Sequence, residues 1–486
     1  MPNSYIFLMF FFFYSIALLY FGKLGYKETN TIHDFFEGGG KLGLLVSIVT
    51  FSATWFSAAS MQGLSGSIYT YGIVSVFYSI IPWFLGALFL IWLTPGLRAS
   101  GAVTIPGYFK KRYNSKTLQI TGGLIILLNF VLYIVIQIRG FGIVISQYLE
   151  IPYYLAVIII YMFILYTTFG GLFSIARSDA FNFVIICLGI IIAAVLIVYK
   201  IGGISEIFHK ASIIEGYAIQ SGSYYTEKGS LTHPLVKGAM PVLSLISVFF
   251  AWGFGISTNP QYTVRIIAAK DDKTAINMII KSIMLLTIIY SAVVLIGLGS
   301  RILIPSVGII DSIDAILPVV SNSIFSLYIN GFIMLAIMAA AISTANSQLI
   351  VASSSFIYDI FGVLSKKNYD DETLLRISRF VVFIVGSLSM VLSLTPPENL
   401  LVYGGYIWGV FSASFLIPLY GGMFYEKATK KSALYSMFSG LLVIFILILL
   451  NYKSHSMFDI HPAMPGVITS FVVFCISSKL EEADII

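Results

Sequence analysis

The sequence predicts an all-α polytopic membrane protein of about 13 transmembrane helices, ten of which form two inverted five-helix halves. Three observations lead there. Hydrophobic residues are 58% of the 486 and charged residues 10%, where a soluble domain carries about 25% charged; mean hydropathy is +0.93. Apolar runs of about 20 residues, the length a helix needs to cross the hydrocarbon core, recur along the whole chain. Two of those runs, at matching places in the two halves, are loaded with Gly, Ser and Pro.

The expected spans fall near 4–22, 44–70, 72–95, 118–147, 151–169, 179–199, 237–258, 275–300, 323–358, 377–395, 399–424, 432–451 and 463–478. The first, SYIFLMFFFFYSIALLYFG, has no basic residue before it and no small-residue cleavage site after it, so it reads as a retained helix rather than a signal peptide. Basic residues cluster on alternate connections: Arg98, Lys110, Lys111, Arg112 and Lys116; then Arg265, Lys270 and Lys273; then Lys366, Lys367, Arg376 and Arg379; then Lys427, Lys430 and Lys431. The positive-inside rule makes those connections cytoplasmic. The expected location is the cell (plasma) membrane, with the N-terminus outside and the C-terminus cytoplasmic. The long polar connection 201–236 then lies outside. Topology accounts for the net charge of +6, so the expected surroundings are a lipid bilayer and no nucleic acid. Cys187 and Cys475 both lie in apolar segments and form no disulfide framework.

The interrupted runs are FSATWFSAASMQGLSGSIYTYG (Phe51 to Gly72) and FFAWGFGISTNPQYTVR (Phe249 to Arg265). In the second, Gly253, Gly255 and Pro260 are expected to weaken or end the helix. Unwound backbone at membrane depth survives only where it is buried or lines a cavity. Small residues also permit close helix packing, but a broken helix at the same place in each inverted half points to a midplane binding site. A third stretch, AAAISTANSQLIVASSS (Ala339 to Ser355), places Ala340, Ser343, Thr344 and Ser347 at helical spacing on one face. Hydroxyls from such a helix and carbonyls from an unwound neighbour would give a hard cation its oxygen ligands. The competing reading is that each hydroxyl bonds the carbonyl one turn back.

Ionisable residues inside spans are functional candidates. Arg139 could hold a solute carboxylate bidentately, or snorkel to the outer interface. Gln137 and Tyr133 lie nearer the middle of the same helix. Asp179 could pair with Arg177 or favour a helix N-terminus. The five histidines, His33, His209, His233, His455 and His461, fall in loops or at span ends, so neither a metal site nor a histidine proton relay is expected.

Several motifs, in order, resemble the sodium:solute symporter family over about residues 30 to 430: DFFEGGGKLG (Asp34 to Gly43), GLSGSIYTYG, IPGYFKKRYN, FGGLFSIARSD (Phe169 to Asp179), WGFGISTNPQYTVRIIAAKDD and AAAISTANSQLIVASSS. The last two are most similar to the sodium/proline branch. The resemblance implies a LeuT-like fold. Residues 1–41 would be an extra helix and its loop, 42–200 the first inverted repeat, 237–424 the second, and 425–486 two C-terminal helices. It also implies a sodium site on the carbonyls of Ala53, Phe56 and Ala340 and the hydroxyls of Ser343 and Thr344, with Asp179 on the ion's inward route. Trp252 matches an aromatic near the solute. Ser57, Ser60, Gln137, Tyr133 and Arg139 complete the expected solute contacts.

Two departures stand out: Trp55 where proline relatives carry an aspartate, and Ile256 where they carry a second aromatic. The expected function is sodium-coupled symport of a small organic solute, an amino acid such as proline or a small carboxylate, into the cell. No cofactor beyond the coupling ion is expected. Proton coupling and a transporter-like membrane sensor are the alternatives. An enzyme would need a converging nucleophile, base or carboxylate pair, and none is visible.

Overall fold

The computed structural model describes residues 2–38, 43–214, 216–219, 224–307, 312–365, 367, 369–395, 399–450 and 459–483. Residues 39–42 of the expected lead-in motif, together with Lys366 and His455, lie outside these. Among the described residues, eleven helices are long and apolar enough to cross a membrane, and the bent pair Leu44–Trp55 and Ala59–Tyr71 makes a twelfth. The expected thirteenth is Tyr153–Thr168. It is apolar but has 16 residues, about 24 Å at 1.5 Å per residue, short of the roughly 30 Å core. Eleven or twelve of the expected spans therefore meet that length among the described residues, and the thirteenth falls short of it.

Burial sorts these helices. The most apolar windows of Leu327–Leu364 and Leu400–Phe424 are each 78% buried, whereas Tyr5–Glu28, Lys430–Leu450 and Ala463–Glu481 are 22%, 28% and 33% buried. Helices wrapped by protein on all sides form the interior; those with one packed face lie at the lipid boundary. The connection 201–236 folds into a helix, Ile204–Ile213, and a two-stranded antiparallel hairpin, Gly216–Ile219 with Tyr224–Thr226. A second short apolar helical segment, Ile313–Ile324, leads into Leu327–Leu364.

The two interrupted segments differ. Leu44–Trp55 stops because Phe56 turns to φ −86°, ψ 98°, and the chain resumes through a wide turn at Ala59–Gly63 with a 61° bend. Gly66 beyond the bend is there for contact, since a Cβ would stand 2.2 Å from the Ile313 carbonyl oxygen. In the second half, Val242–Thr258 runs unbroken through Gly253 and Gly255, contrary to expectation. A Cβ on Gly255 would meet the Trp408 carbonyl oxygen at 2.8 Å, so this glycine serves packing. The interruption falls at Asn259, whose side chain caps the Gln261 N–H (3.0 Å) ahead of Pro260. Pro260 sits at the first helical position, where its missing N–H costs nothing. Val242–Ala268 thus remains one span.

Candidate ion and solute site

The broken helix and the hydroxyl-bearing helix Leu327–Ser355 meet at the break. Ser343 Oγ lies 3.1 Å from the Ala53 carbonyl and 3.1 Å from the Ala340 carbonyl. Thr344 Oγ1 lies 3.4 Å from the carbonyl of Thr54, and Thr54 Oγ1 is 2.8 Å from Ser347 Oγ. A hydroxyl carries one proton, so Ser343 cannot satisfy both carbonyls at once. The result is an oxygen-rich, carboxylate-free nest of the kind a hard cation fills. Of the five residues expected to hold sodium, Ala53, Ala340 and Ser343 share direct contacts. Thr344 reaches the same turn, and Phe56 is the residue at the break itself.

Gln137 explains how the nest stays open. In an unbroken helix the Ala58 N–H would donate to the Thr54 carbonyl; here it donates to Gln137 Oε1 at 3.2 Å. Gln137 therefore takes up an amide that the break releases, and the Thr54 carbonyl remains available to Thr344. Its Oε1 is committed to the backbone, and it is not among the residues that line the cavity beside the break.

Asp179 is fully buried and pairs with Arg265, whose Nη2 stands 3.4 Å from Asp179 Oδ2 and donates to Ser347 Oγ at 2.6 Å. Through Ser347, which donates to the Ser343 carbonyl at 3.0 Å, this pair is two bonds from the nest. The suggested partner, Arg177, instead pairs with Glu28 at 2.7 Å on the exposed surface. Arg265 escaped the sequence reading because it was counted as a loop charge. Its signal was the Asn-Pro start five to six residues earlier in the sequence, which opens a helix and carries Arg265 inward.

Beside the break lies a narrow cavity, with room for about one water, lined by Ser57, Ser60, Tyr133 and Trp252 from the expected set. The two departures, Trp55 and Ile256, also line it, as do Trp83, Tyr262, Tyr290 and Trp408, which the sequence reading missed. With aromatics at 15% of the chain, nothing in spacing singles these four out. Trp55 packs on Tyr262 at 4.9 Å and Trp83 meets Trp252 edge-on at 5.3 Å. Trp408 touches Trp252 at 5.3 Å and Tyr133 at 5.7 Å. Ser60 Oγ and Tyr290 Oη bond each other at 3.0 Å.

Arg139 is not among these lining residues. It is 8% exposed, with Nε 3.7 Å from Asp314 Oδ2 in the Ile313–Ile324 segment. Asn346 and Gln348, the conspicuous amides of the hydroxyl helix, make packing bonds: Asn346 accepts from Thr167 (2.9 Å) and Gln348 donates to Gln261 (3.3 Å). His461, at the start of the last helix, is buried between Tyr406 and the glycines of Leu400–Phe424.

Residues 35–440 match the model of the sodium:solute symporter family. The chain belongs to the sodium:solute symporter family. Over 480 residues it is 28% identical to the osmoregulated proline transporter of Bacillus subtilis (strain 168), covering 96% of this chain and 93% of that one. It is 27% identical over 484 residues to the sodium/proline symporter of Staphylococcus aureus (strain JH9), covering 96% and 91%. Among solved structures it is similar to a substrate-bound, outward-open Na+-coupled sialic acid symporter, with TM-score 0.79, 20% identity and coverage of 99% and 98%. It is also similar to the nucleobase-cation-symport-1 transporter Mhp1, with TM-score 0.52, 12% identity and coverage of 90% and 93%. These two likenesses establish the LeuT-like fold. The family is one of transporters, and membership makes this chain a multi-pass transporter working by sodium-coupled symport of a small solute.

Proposed function

We propose that this sodium:solute symporter imports an amino acid such as proline, or a small carboxylate, by alternating access. Sodium would bind the carbonyls of Ala53, Phe56 and Ala340 and the hydroxyls of Ser343 and Thr344. One observation carries the reading. The broken helix supplies carbonyls to the hydroxyl nest on one side of Phe56 and the cavity-lining Ser57 on the other. An ion in the nest would therefore fix the backbone that shapes the solute cavity, and each ligand would raise the other's affinity by the same factor. The named activities of the two proline-transporting relatives support proline; Trp55 and Ile256 in the cavity wall set this chain apart from them. Asp179 would lie on the ion's inward route, with the basic connections cytoplasmic and the N-terminus outside.

Uptake into proteoliposomes under an imposed sodium gradient, compared with an imposed pH gradient, tests the coupling. Uptake is expected to follow sodium; unchanged uptake after its removal sinks the reading in favour of proton coupling. Ser343→Ala and Thr344→Ala are each expected to raise the sodium concentration for half-maximal uptake by about tenfold, the loss of one oxygen ligand to a charged group, with the protein still inserted.

A further inference from the structure

A second and larger cavity lies away from the transport path, between the ends of Leu400–Phe424 and Ala463–Ala483. Its volume is about 460 Å³, inside the roughly 300–1,000 Å³ of ligand pockets. Each helix supplies a stripe at i, i+4 and i+8, the spacing of one helix face: Ile417, Gly421 and Tyr425 from the first, Phe471, Cys475 and Lys479 from the second. The middle residue of each stripe is small, and that opens a groove between them. The buried Phe474 ring lies at its floor, so close to Gly421 that a Cβ there would stand 2.7 Å away.

The groove faces lipid, and its polarity is confined to one end. Phe471 is 55% exposed on a helix whose most apolar window is only 33% buried, which places it at the lipid boundary. From Phe471 to Lys479 the helix rises about 12 Å at 1.5 Å per residue, so the groove runs along the direction of the acyl chains. Tyr420 Oη is already bonded to the Phe89 carbonyl at 3.0 Å, which leaves Tyr425 Oη and Lys479 Nζ as the polar groups at the mouth. Lys479 is exposed and makes no ion pair among the described residues, whereas Glu481, two residues on, is taken by Lys431 at 3.1 Å. Arg112 donates to the carbonyls of Gly422, Tyr425 and Glu426 and adds a second cation beside the mouth. Trp92, 56% exposed, stacks on Phe424 at 4.0 Å, an aromatic of the kind that sits at headgroup level.

We propose that this groove binds an anionic phospholipid, with one acyl chain lying along the two stripes and the phosphate on Lys479 Nζ and Tyr425 Oη. A basic mouth at headgroup level selects an anionic lipid over a neutral one. The apolar body below it selects a lipid over a free phosphate, which would gain nothing from Phe471 or Ile417. The site is independent of the solute and of the coupling ion.

The test uses the full-length protein purified in detergent and titrated with short-chain phosphatidylglycerol, with phosphatidylcholine of the same chains, and with glycerophosphate, each read as a rise in Tm. Phosphatidylglycerol is expected to act at about a fivefold lower concentration than phosphatidylcholine, the contribution of one basic residue beside an anionic headgroup. Glycerophosphate is expected to have no effect. Lys479→Gln is expected to erase the preference and Lys479→Arg to keep it. Cys475→Phe, which fills the middle of the groove, is expected to remove the response to both lipids. Equal action of the two lipids, an intact preference in Lys479→Gln, or glycerophosphate acting as well as the lipid each overturns the proposal. So does a Cys475→Phe protein that keeps its lipid response but changes its mass by light scattering, which would make the groove a contact between copies of this chain. Lys479→Gln alters only an exposed side chain, so it decides the question even where Cys475→Phe does not fold.

Discussion

Two buried guanidinium–carboxylate pairs flank the transport path, and their surroundings are unlike. Asp179 lies in the first third of Gly171–Ile201 and pairs with Arg265; Arg139 lies in the last third of Lys116–Leu149 and pairs with Asp314. Helix direction puts the first pair toward the end of the bundle that carries the basic connections and the second toward the opposite end. Asp314 has two donors besides arginine: Ser312 Oγ donates to it at 2.9 Å, and the Leu400 N–H is shared between its oxygens at 3.1 Å from each. Asp179 has Oδ1 buried with no partner, whereas both oxygens of Asp314 accept hydrogen bonds. The outer pair is built into a network that closes the Ile313–Ile324 segment on Leu400–Phe424. The inner pair is under-satisfied at Asp179 Oδ1, and it touches the proposed ion nest through Ser347. An under-satisfied buried pair is a poor stability device; beside the proposed ion site it would suit a group on the proposed inward route.

The largest expected effect breaks the inner pair. Arg265→Gln leaves an uncompensated buried carboxylate and is expected to lower stability by about 3–5 kcal/mol. Adding Asp179→Asn removes the stranded charge and is expected to restore much of that loss while leaving sodium release impaired. Unfolding of the single and double variants in detergent gives the coupling energy; a double variant no more stable than the single would show that the two groups do not act as a pair.

The outer pair should yield less. Arg139→Gln leaves Asp314 with its Ser312 and Leu400 donors, so the expected loss is about 1–3 kcal/mol, with solute affinity kept. Affinity measured beside Tm sharpens the comparison. Loss of solute binding at unchanged stability would return Arg139 to the carboxylate-binding role its sequence position first indicated.

The same contrast shows what a sequence discloses. Helix existence was legible because apolar length is a local property, and the polar face of Leu327–Ser355 was legible because Ala340, Ser343, Thr344 and Ser347 recur at helical spacing; that Ala53 and Phe56 face it came from the family resemblance, not from spacing. The glycines of WGFG misled, since Gly253 and Gly255 look identical in sequence whether they break a helix or admit a neighbour's backbone. Only the approach of Trp408 decides it. Arg265, Asp314 and the rings of Trp83, Tyr262, Tyr290 and Trp408 were hidden for one reason. Their roles come from partners far along the chain, and no spacing within one helix encodes them.

The smallest expected effect comes from Arg177, two residues before Asp179 and by local charge as fit a partner for it as Arg265. Its bond to Glu28 is shorter than either buried pair's, 2.7 Å, yet the side chains are 37% and 45% exposed. Water screens an exposed pair and competes for both groups, so such pairs contribute about 0–1 kcal/mol. Arg177→Gln is expected to shift stability by less than about 0.5 kcal/mol and to leave the sodium dependence of uptake unchanged. A sodium response altered as much as in Arg265→Gln would mean that burial does not separate these arginines, and that the ion route runs past the exposed charge as well.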